Sequence, residues 1–376
     1  MYNIISIIDH VGSKAGMNYY SSSLAKGFIS KESLCSVYSN FIGINSDKID
    51  YKVYYEGHSK SNTFIKLYKF IKATIKASYS AKKEKSNLVI LHLFSADIVT
   101  LTLVLIPKLF GLKTAVIAHD IASFVDNDSE RIQKLIYNTL SDHIIVHNQF
   151  SYNELLKCID LNDPKKVSII KHGGYLDHIS KKTDKESLRK ELGLDIDGKY
   201  ILFFGQIKDV KGLDILLEAM GNISSNIKLI IAGKPWKADF TTYDKLIEKY
   251  SLEDRVVKMI RFIEDDEREK LFFAADVNVL PYRVIYQSGV LLMAMSHSLP
   301  VIASDLHANK EIINDGLNGL LFENGDEVSL AKVIQIYFNK KENQNKLAIN
   351  ASKTIKNEYS WDTIAQEYLN LLTGKS

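Results

Sequence analysis

The chain is poor in cysteine, proline and tryptophan: 376 residues contain two, five and two of them. Cys35 and Cys158 stand far apart without metal-type spacing, which argues against a disulfide framework and a thiolate zinc site. Both read as small buried apolar residues of a protein in a reducing compartment. Scarce proline, and the lack of any Gly/Ser-rich run, exclude collagen-like, low-complexity and fibrous classes. Long apolar runs are missing too. The most apolar stretch, 87–118, is interrupted by His92, Asp97, Pro107, Lys108 and Lys113, short of the roughly 20 apolar residues that a spanning helix needs. The first ten residues lack a basic leader and reach Asp9 and His10 too early for a secretory signal, so they read as a buried strand. A large excess of one charge is also absent. With 48 Lys+Arg against 45 Asp+Glu the net charge is +3, too balanced for a protein that binds a polyanion along its length.

What is there fits two globular domains. The length exceeds the roughly 100–200 residues of one typical domain, and 46% apolar residues supply sizeable cores. Charge is unevenly spread: residues 1–180 hold 21 Lys+Arg and 16 Asp+Glu, leaving 27 and 29 for the remainder. Any basic patch belongs to the first half.

Short β-branched runs alternate with longer amphipathic segments, the pattern of parallel strands joined by crossover helices. Strands are expected near Ile4–Asp9, Cys35–Ser39, Leu88–Phe94, Thr114–His119, His143–His147 and Val167–Lys171. After a polar stretch, His178–Lys199, the alternation restarts with Tyr200–Phe204, Ile227–Ala232, Val256–Ile263, Val277–Pro281, Pro300–Ser304 and Gly319–Phe322. Helices include Met17–Ile29, Ile132–Leu140 after a Ser129–Glu130 start, Leu213–Met220, Glu267–Ala275 and Leu330–Phe338. The expected class is α/β with two doubly wound sheets, residues 1–180 and 181–358, and a closing helix in 359–376 that packs back on the first domain. Such sheets bind ligands at the carboxyl ends of their strands, which places chemistry where two domains face each other.

Three segments stand out. The first loop, Asp9 to Met17, carries Gly12 and Gly16 between a strand and a helix. It serves either as a plain turn or as a place where backbone amides approach a phosphate or sugar. Gly205-Gln206-Ile207-Lys208-Asp209-Val210-Lys211-Gly212 follows a strand and opens a helix, where lysine ammonium groups can meet a diphosphate. Then Pro281-Tyr282-Arg283 ends a strand, and Gln287-Ser288-Gly289-Val290 supplies a cap and a helix N-terminus whose amides bind anions.

Together these parts resemble a GT-B-fold nucleotide-sugar glycosyltransferase of the large retaining family 4. The resemblance extends in register over most of the chain through Ala118-His119-Asp120, Ile144 to Asn148, Ile231-Ala232-Gly233, Ala274 to Pro281, Leu299–Asp305, Glu311-Ile312-Ile313, Gly316 to Phe322 and Tyr359-Ser360-Trp361. The Gln-Ser-Gly-Val version is similar to enzymes that build bacterial surface polysaccharides.

The resemblance implies a nucleoside-diphosphate sugar as donor, a saccharide or polyprenyl-linked acceptor, no cofactor, and a cytoplasmic enzyme, peripheral at the inner face of the cytoplasmic membrane. It places His119 beside donor sugar and acceptor, and Lys211, helped by Lys208, on the diphosphate. Gly12, Gly16, Gly205, Gln206, Glu267, Arg283, Gln287, Ser288, Gly289 and Val290 fall on the donor side. For Glu267, a first-turn acid complementing its helix dipole is an equal reading. Asp195-Ile196-Asp197 spells the D-x-D of metal-dependent transferases but reads as a solvated turn, and no metal is expected.

Two departures count. The family's pair of glutamates falls on Ile285 and Met293, and its arginine after the loop glycine falls on Gln206. Donor identity therefore stays open, and so do a non-catalytic nucleotide-sugar-binding subunit and, more remotely, a sugar-nucleotide epimerase. Finally, Phe64–Lys85 reads as a helix with Phe64, Leu67, Tyr68, Ile71 and Ile75 on one face and Lys69, Lys72 and Lys76 beside it. That pattern fits either a core-packed helix or one lying on an anionic membrane.

Overall fold

The computed structural model describes residues 2–14, 16–43, 47–55, 62–121, 129–179, 184–237 and 239–374. The chain divides into two compact units, Met1–Gly173 with Tyr359–Ser376, and Gly174–Glu358.

The first unit alternates β1 (Ile4–Asp9), α1 (Met17–Ser30), β2 (Leu34–Ser39), β3 (Ile49–Val53), α2 (Thr63–Lys83), β4 (Leu88–Leu93), α3 (Ile98–Leu109), β5 (Thr114–Ala118), α4 (Glu130–Lys134), β6 (His143–Val146), α5 (Gln149–Cys158) and β7 (Val167–Ile169). Its parallel sheet has the order β3-β2-β1-β4-β5-β6-β7. Strands β4 and β5 are buried throughout, because helices cover both faces of a parallel sheet and leave no wet side.

The second unit contains α6 (Lys185–Glu191), β8 (Lys199–Phe204), α7 (Leu213–Gly221), β9 (Ile227–Ala232), α8 (Thr241–Lys249), β10 (Val256–Met259), α9 (Asp265–Ala274), β11 (Val277–Leu280), α10 (Gly289–Ser296), β12 (Val301–Ser304), α11 (His307–Lys310), β13 (Leu320–Phe322), α12 (Glu327–Asn339) and α13 (Lys341–Glu358). The order β10-β9-β8-β11-β12-β13 is again parallel. Helix α14 (Trp361–Thr373) belongs to the first unit. There the Tyr20 and Tyr368 hydroxyls meet at 2.9 Å.

Several expectations are corrected. Strand β3 is missing from the sequence reading: it is a five-residue edge strand, Ile49-Asp50-Tyr51-Lys52-Val53, in which Asp50 and Lys52 break up the apolar run and only Ile49 and Tyr51 are buried. Strand β10 stops at Met259, whose carbonyl accepts from both Gly233 and Arg261, turning the chain out of the sheet before Ile263. The helix expected over Ile132–Leu140 begins, as expected, at Ser129–Glu130 with α4, but it continues as a π-helical stretch, Leu135–Leu140. The stretch His178–Lys199 is not merely a linker: it carries α6, whose buried Arg189 pairs with Asp276 at 2.9 Å and donates to the carbonyls of Ala274 and Ile196.

The helix expected over Phe64–Lys85 forms as α2, and of its two readings the core-packed one fails for the Phe64, Tyr68 and Ile75 face. Its buried face is the small-residue stripe Ala73, Thr74, Ala77, Ser78 and Ala81. Phe64 is 81% exposed, Tyr68 66% and Ile75 45%, beside exposed Lys69, Lys72 and Lys76. Among the described residues no helix is long and apolar enough to cross a membrane.

Candidate active site

In the second unit the strand order reverses between β8 and β11, so the loops leaving their carboxyl ends diverge and open a crevice. Gly205 leaves β8 at φ +105°, and a Cβ there would lie 3.1 Å from the Lys211 Nζ and 3.6 Å from a Val290 methyl. The lysine ammonium and the start of α10 thus converge on one glycine. Gly212, at φ +63°, packs its Cα against the Pro281 carbonyl so closely that a Cβ would stand 1.9 Å from that oxygen. This contact locks the lysine loop to the end of β11.

Lys211 is half-buried, with Nζ 5.2 Å from the centre of the Tyr282 ring, and no carboxylate among the described residues pairs with it. Burial without a counter-charge pulls its pKa down to about 8. Ser288 caps α10 by accepting from the Leu291 amide at 3.1 Å. That leaves the first amides of the helix, at Gly289 and Val290, without an intrahelical partner. Over Gly289 stands Tyr175, whose hydroxyl would lie 2.9 Å from a Cβ there. A cation, a helix N-terminus and two glycines permitting close approach make an anion cradle.

The remaining donor-side residues are placed differently. Gln206 is exposed and Gln287 half-buried. Lys208 lies over the Trp236 ring at 5.1 Å. Arg283, expected on the donor, spends its charge inside the protein: its guanidinium pairs bidentately with Asp214 and donates to the Asp209 carbonyl at 2.9 Å. The arginine ties the β11 loop to α7. Glu267, in the first turn of α9, takes a bidentate pair from Arg261 at 2.5 and 2.6 Å, which lowers its carboxyl pKa. At the family's glutamate positions, Ile285 is half-buried and Met293 buried. Asp195 and Asp197 precede the amino end of β8, opposite the cradle. Among the described residues no group of three or more His, Cys, Asp or Glu is arranged to hold a metal ion.

In the first unit the order reverses between β1 and β4. The first loop there is closed on itself. Asp9 Oδ1 accepts from the Val11 amide at 3.1 Å and the Gly12 amide at 2.6 Å, and a Cβ on Gly12 would stand 2.0 Å from Asn40 Oδ1. Gly12 is therefore a structural glycine with its amide already used, contrary to the expectation that it faces a ligand. Gly16, at φ +72°, has room around it and opens α1.

His119 directly follows β5 and stacks on Phe94, centroids 4.5 Å apart. Its Nε2 lies 3.0 Å from Nδ1 of His92. Burial, reinforced by the imidazoles of His147, His92 and His172, holds its pKa well below the usual histidine value. Histidine recurs at the carboxyl end of successive strands: His92 in β4, then His119, His147 and His172 after β5, β6 and β7. Tyr20 packs among all four, with centroid distances from 4.9 to 5.8 Å. The sequence reading missed this array as a unit, although the recurrence itself was a signal.

Residues 184–354 match the family described as Glycosyl transferases group 1. An uncharacterized glycosyltransferase of Methanocaldococcus jannaschii is 31% identical over 190 residues, 50% of this chain and 48% of that protein. A GDP-mannose:glycolipid 4-beta-D-mannosyltransferase of Xanthomonas campestris is 29% identical over 161 residues, 42% of this chain and 43% of its own. The chain thus spans about half the length of curated relatives that it matches. Among solved structures, Anabaena HepE in complex with UDP superposes with a TM-score of 0.77 at 18% identity, covering 100% of both chains. The fold is therefore GT-B, two Rossmann-like α/β domains. The match to the glycosyl transferases group 1 family lies on residues 184–354, within the second unit.

Proposed function

We propose that the protein transfers a sugar from a nucleoside-diphosphate sugar to a saccharide acceptor carried on a lipid, with retention of configuration, in the synthesis of a surface polysaccharide. The observation that carries this reading is Lys211: an ammonium without a carboxylate partner among the described residues, aimed at Gly205 beside the amides that open α10. HepE, similar in fold, has been crystallised with UDP and with UDP-glucose, and the Xanthomonas relative uses a glycolipid by name.

In this reaction the bond from the anomeric carbon to the diphosphate breaks and one to the acceptor oxygen forms on the same face. The acceptor's proton passes to the departing phosphate oxygen, so the protein need not supply a strong base. Its task is to stabilise charge growing on the diphosphate. Lys211 and the Gly289 and Val290 amides are fixed before the reaction begins and cost no reorganisation during it. In this reading they compensate the diphosphate without a metal ion. His119 borders the donor sugar as a neutral imidazole.

Helix α2 supplies the acceptor side of the proposal. Large apolar side chains that core packing would bury, Phe64, Tyr68 and Ile75, are exposed among lysines. Such a face suits the interface of an anionic bilayer, where rings enter the headgroup layer and ammonium groups meet phosphates. The proposal puts the protein in the cytoplasm, peripheral at the inner membrane face.

The deciding experiment is a melting-temperature panel with UDP, GDP and ADP and their sugars, followed by transfer assays with the responding donor. A rise with one nucleotide and transfer by the purified protein are expected; no response to any of them removes the proposal. Apolar Ile285 and Met293 favour a second reading, a nucleotide-sugar-binding subunit without activity of its own. Binding without transfer by the purified protein selects that reading.

A further inference from the structure

A continuous chain of side chains in the first unit runs from a carboxylate to His119. Asp9 ends β1 and is fully buried. Its Oδ1 accepts two backbone amides, from Val11 and Gly12, and its Oδ2 accepts the Ser21 hydroxyl at 2.7 Å. Ser21 comes from α1, also fully buried, and its oxygen lies 3.3 Å from Nε2 of His92. His92, fully buried in β4, places Nδ1 3.0 Å from Nε2 of His119.

Counting protons along this chain leaves little freedom. With Asp9 as the carboxylate, which the Ser21 hydroxyl and the Gly12 and Val11 amides stabilise against the burial that raises its pKa, both oxygens act as acceptors, so Ser21 spends its one proton on Oδ2 and can only accept from the other side. The Ser21 oxygen then requires a proton on Nε2 of His92. A neutral imidazole carries one N–H, so Nδ1 of His92 is bare and must itself accept. The proton between the two histidines therefore sits on Nε2 of His119. Its Nδ1 is left as a lone pair, and among the described residues no hydrogen-bond partner other than His92 holds the ring.

The geometry points to Asp9, Ser21 and His92 as positioning residues that fix His119 in the Nε2–H tautomer and present Nδ1 as an acceptor. The Phe94 ring, parallel to His119 within 6°, holds the imidazole plane while His92 fixes its rotation about that plane. What this acceptor faces is a polar hydrogen: a hydroxyl of the bound sugar or of the incoming acceptor. That last step rests on the proposed glycosyl transfer; the tautomer does not.

The test uses full-length protein labelled with 15N-histidine. Two-bond proton–nitrogen correlation spectra separate the tautomers by their nitrogen shifts, and transfer kinetics are measured on the same samples. Wild type is expected to show His119 protonated at Nε2 with a bare Nδ1. His92→Asn keeps an acceptor oxygen close to the Nδ1 position and should preserve that signature. His92→Leu and Ser21→Ala should convert it to a mixture of tautomers and lower kcat about 10-fold with donor KM nearly unchanged, the scale of losing a hydrogen bond that orients a working side chain. Melting temperatures identify any variant that has lost its fold, and Ser21→Ala, the smaller change, then decides. The proposal is overturned if wild-type His119 carries its proton on Nδ1, or if folded His92→Leu and Ser21→Ala proteins keep the wild-type signature. If the tautomers behave as expected while kcat does not move, the chain stands and the placement of His119 beside the sugar fails.

Discussion

Lys211 holds its ammonium 5.2 Å from the centre of the Tyr282 ring, a cation over an aromatic face with no acid among the described residues paired to it. The ring contributes about 0.5–2 kcal/mol to holding the charge, and burial opposes it, so the charge is poorly satisfied until an anion arrives. Lys211→Ala should lower kcat/KM for transfer by about 100- to 1,000-fold, the usual loss when one stabiliser of developing charge is removed. It should also abolish the nucleotide-induced rise in melting temperature. Stability of the unliganded protein should hold or increase, because a half-buried charge that is poorly satisfied disappears. Calorimetric titration with the nucleoside diphosphate, alongside thermal melts, checks both halves.

The same lysine gives binding a pH dependence with a defined sign. Its pKa is about 8 in the folded protein, against 10.5 ordinarily. Between these values the unfolded chain binds more protons, so the unliganded protein gains stability from this group as pH rises from about 8 towards 10.5. Diphosphate binding needs the protonated form. Affinity should therefore be flat below pH 8 and fall above it, and the fall should vanish in Lys211→Arg, whose guanidinium stays charged. A titration of Kd from pH 6.5 to about 9.5 reads this directly.

Gly212 is predicted to matter through shape alone. Alanine there meets the Pro281 carbonyl at 1.9 Å in a left-handed conformation, with backbone on the other side of the clash. Gly212→Ala should cost about 2–4 kcal/mol of stability and, in whatever fraction folds, displace Lys211 from Gly205. Urea unfolding and nucleotide affinity should deteriorate together. Gly193→Ala is a control, since it also has positive φ but nothing within 4 Å.

These residues differ in how far the sequence alone exposed them. Lysine and glycine spacing after β8 and the Ser-Gly step before α10 were readable because a strand end, a cap and a helix start are local events. Arg283 was not: the carboxylate that claims it, Asp214, lies in a neighbouring loop-to-helix segment whose approach only the sheet order establishes. Gly12 misled for the same reason, since its steric partner is Asn40, on the adjacent β2 loop. The α2 periodicity was visible but its orientation was not. Burial of an Ala/Ser/Thr stripe in preference to Phe and Ile is decided by how closely the helix must approach the sheet, and small residues allow a closer approach.

Exposure of the α2 face yields a membrane prediction. Vesicles with about a quarter anionic lipid should co-sediment the protein, and vesicles of neutral lipid should not, because each lysine near the surface adds about 1 kcal/mol only where the leaflet is negative. Replacing Lys69, Lys72 and Lys76 together by Glu should abolish sedimentation. Phe64→Ser with Tyr68→Ser should weaken it without altering salt dependence. Neither set touches the buried stripe Ala73, Thr74, Ala77, Ser78 and Ala81, so melting temperatures should stay within about 2 °C of wild type. Equal binding to neutral vesicles would defeat the electrostatic account.

The closing helix α14 should prove indispensable to the first unit even though it comes from the far end of the chain. Its Tyr368 and Trp361 pack in one core cluster with Tyr20, Leu24 and Phe28 of α1. Gly27 and Gly173 are both moulded to it: a Cβ on Gly27 would lie 2.5 Å from the Trp361 carbonyl, and one on Gly173 2.2 Å from its indole ring. Deleting 359–376 would bare several large side chains, each contributing about 1.5–3 kcal/mol when buried, against a total stability of about 5–15 kcal/mol. The truncated chain should therefore lose the cooperative unfolding of the first unit, and a finer cut separates packing from polarity. Tyr368→Phe keeps the ring and removes only the hydroxyl that meets Tyr20 at 2.9 Å, for about 1 kcal/mol. Gly27→Val should cost several times more, because the Trp361 carbonyl it strikes belongs to a helix start that cannot retreat without uncovering Tyr20. Chemical denaturation followed by tryptophan fluorescence is suited to this comparison, since Trp361 and Trp236 are the only two tryptophans and report on one unit each.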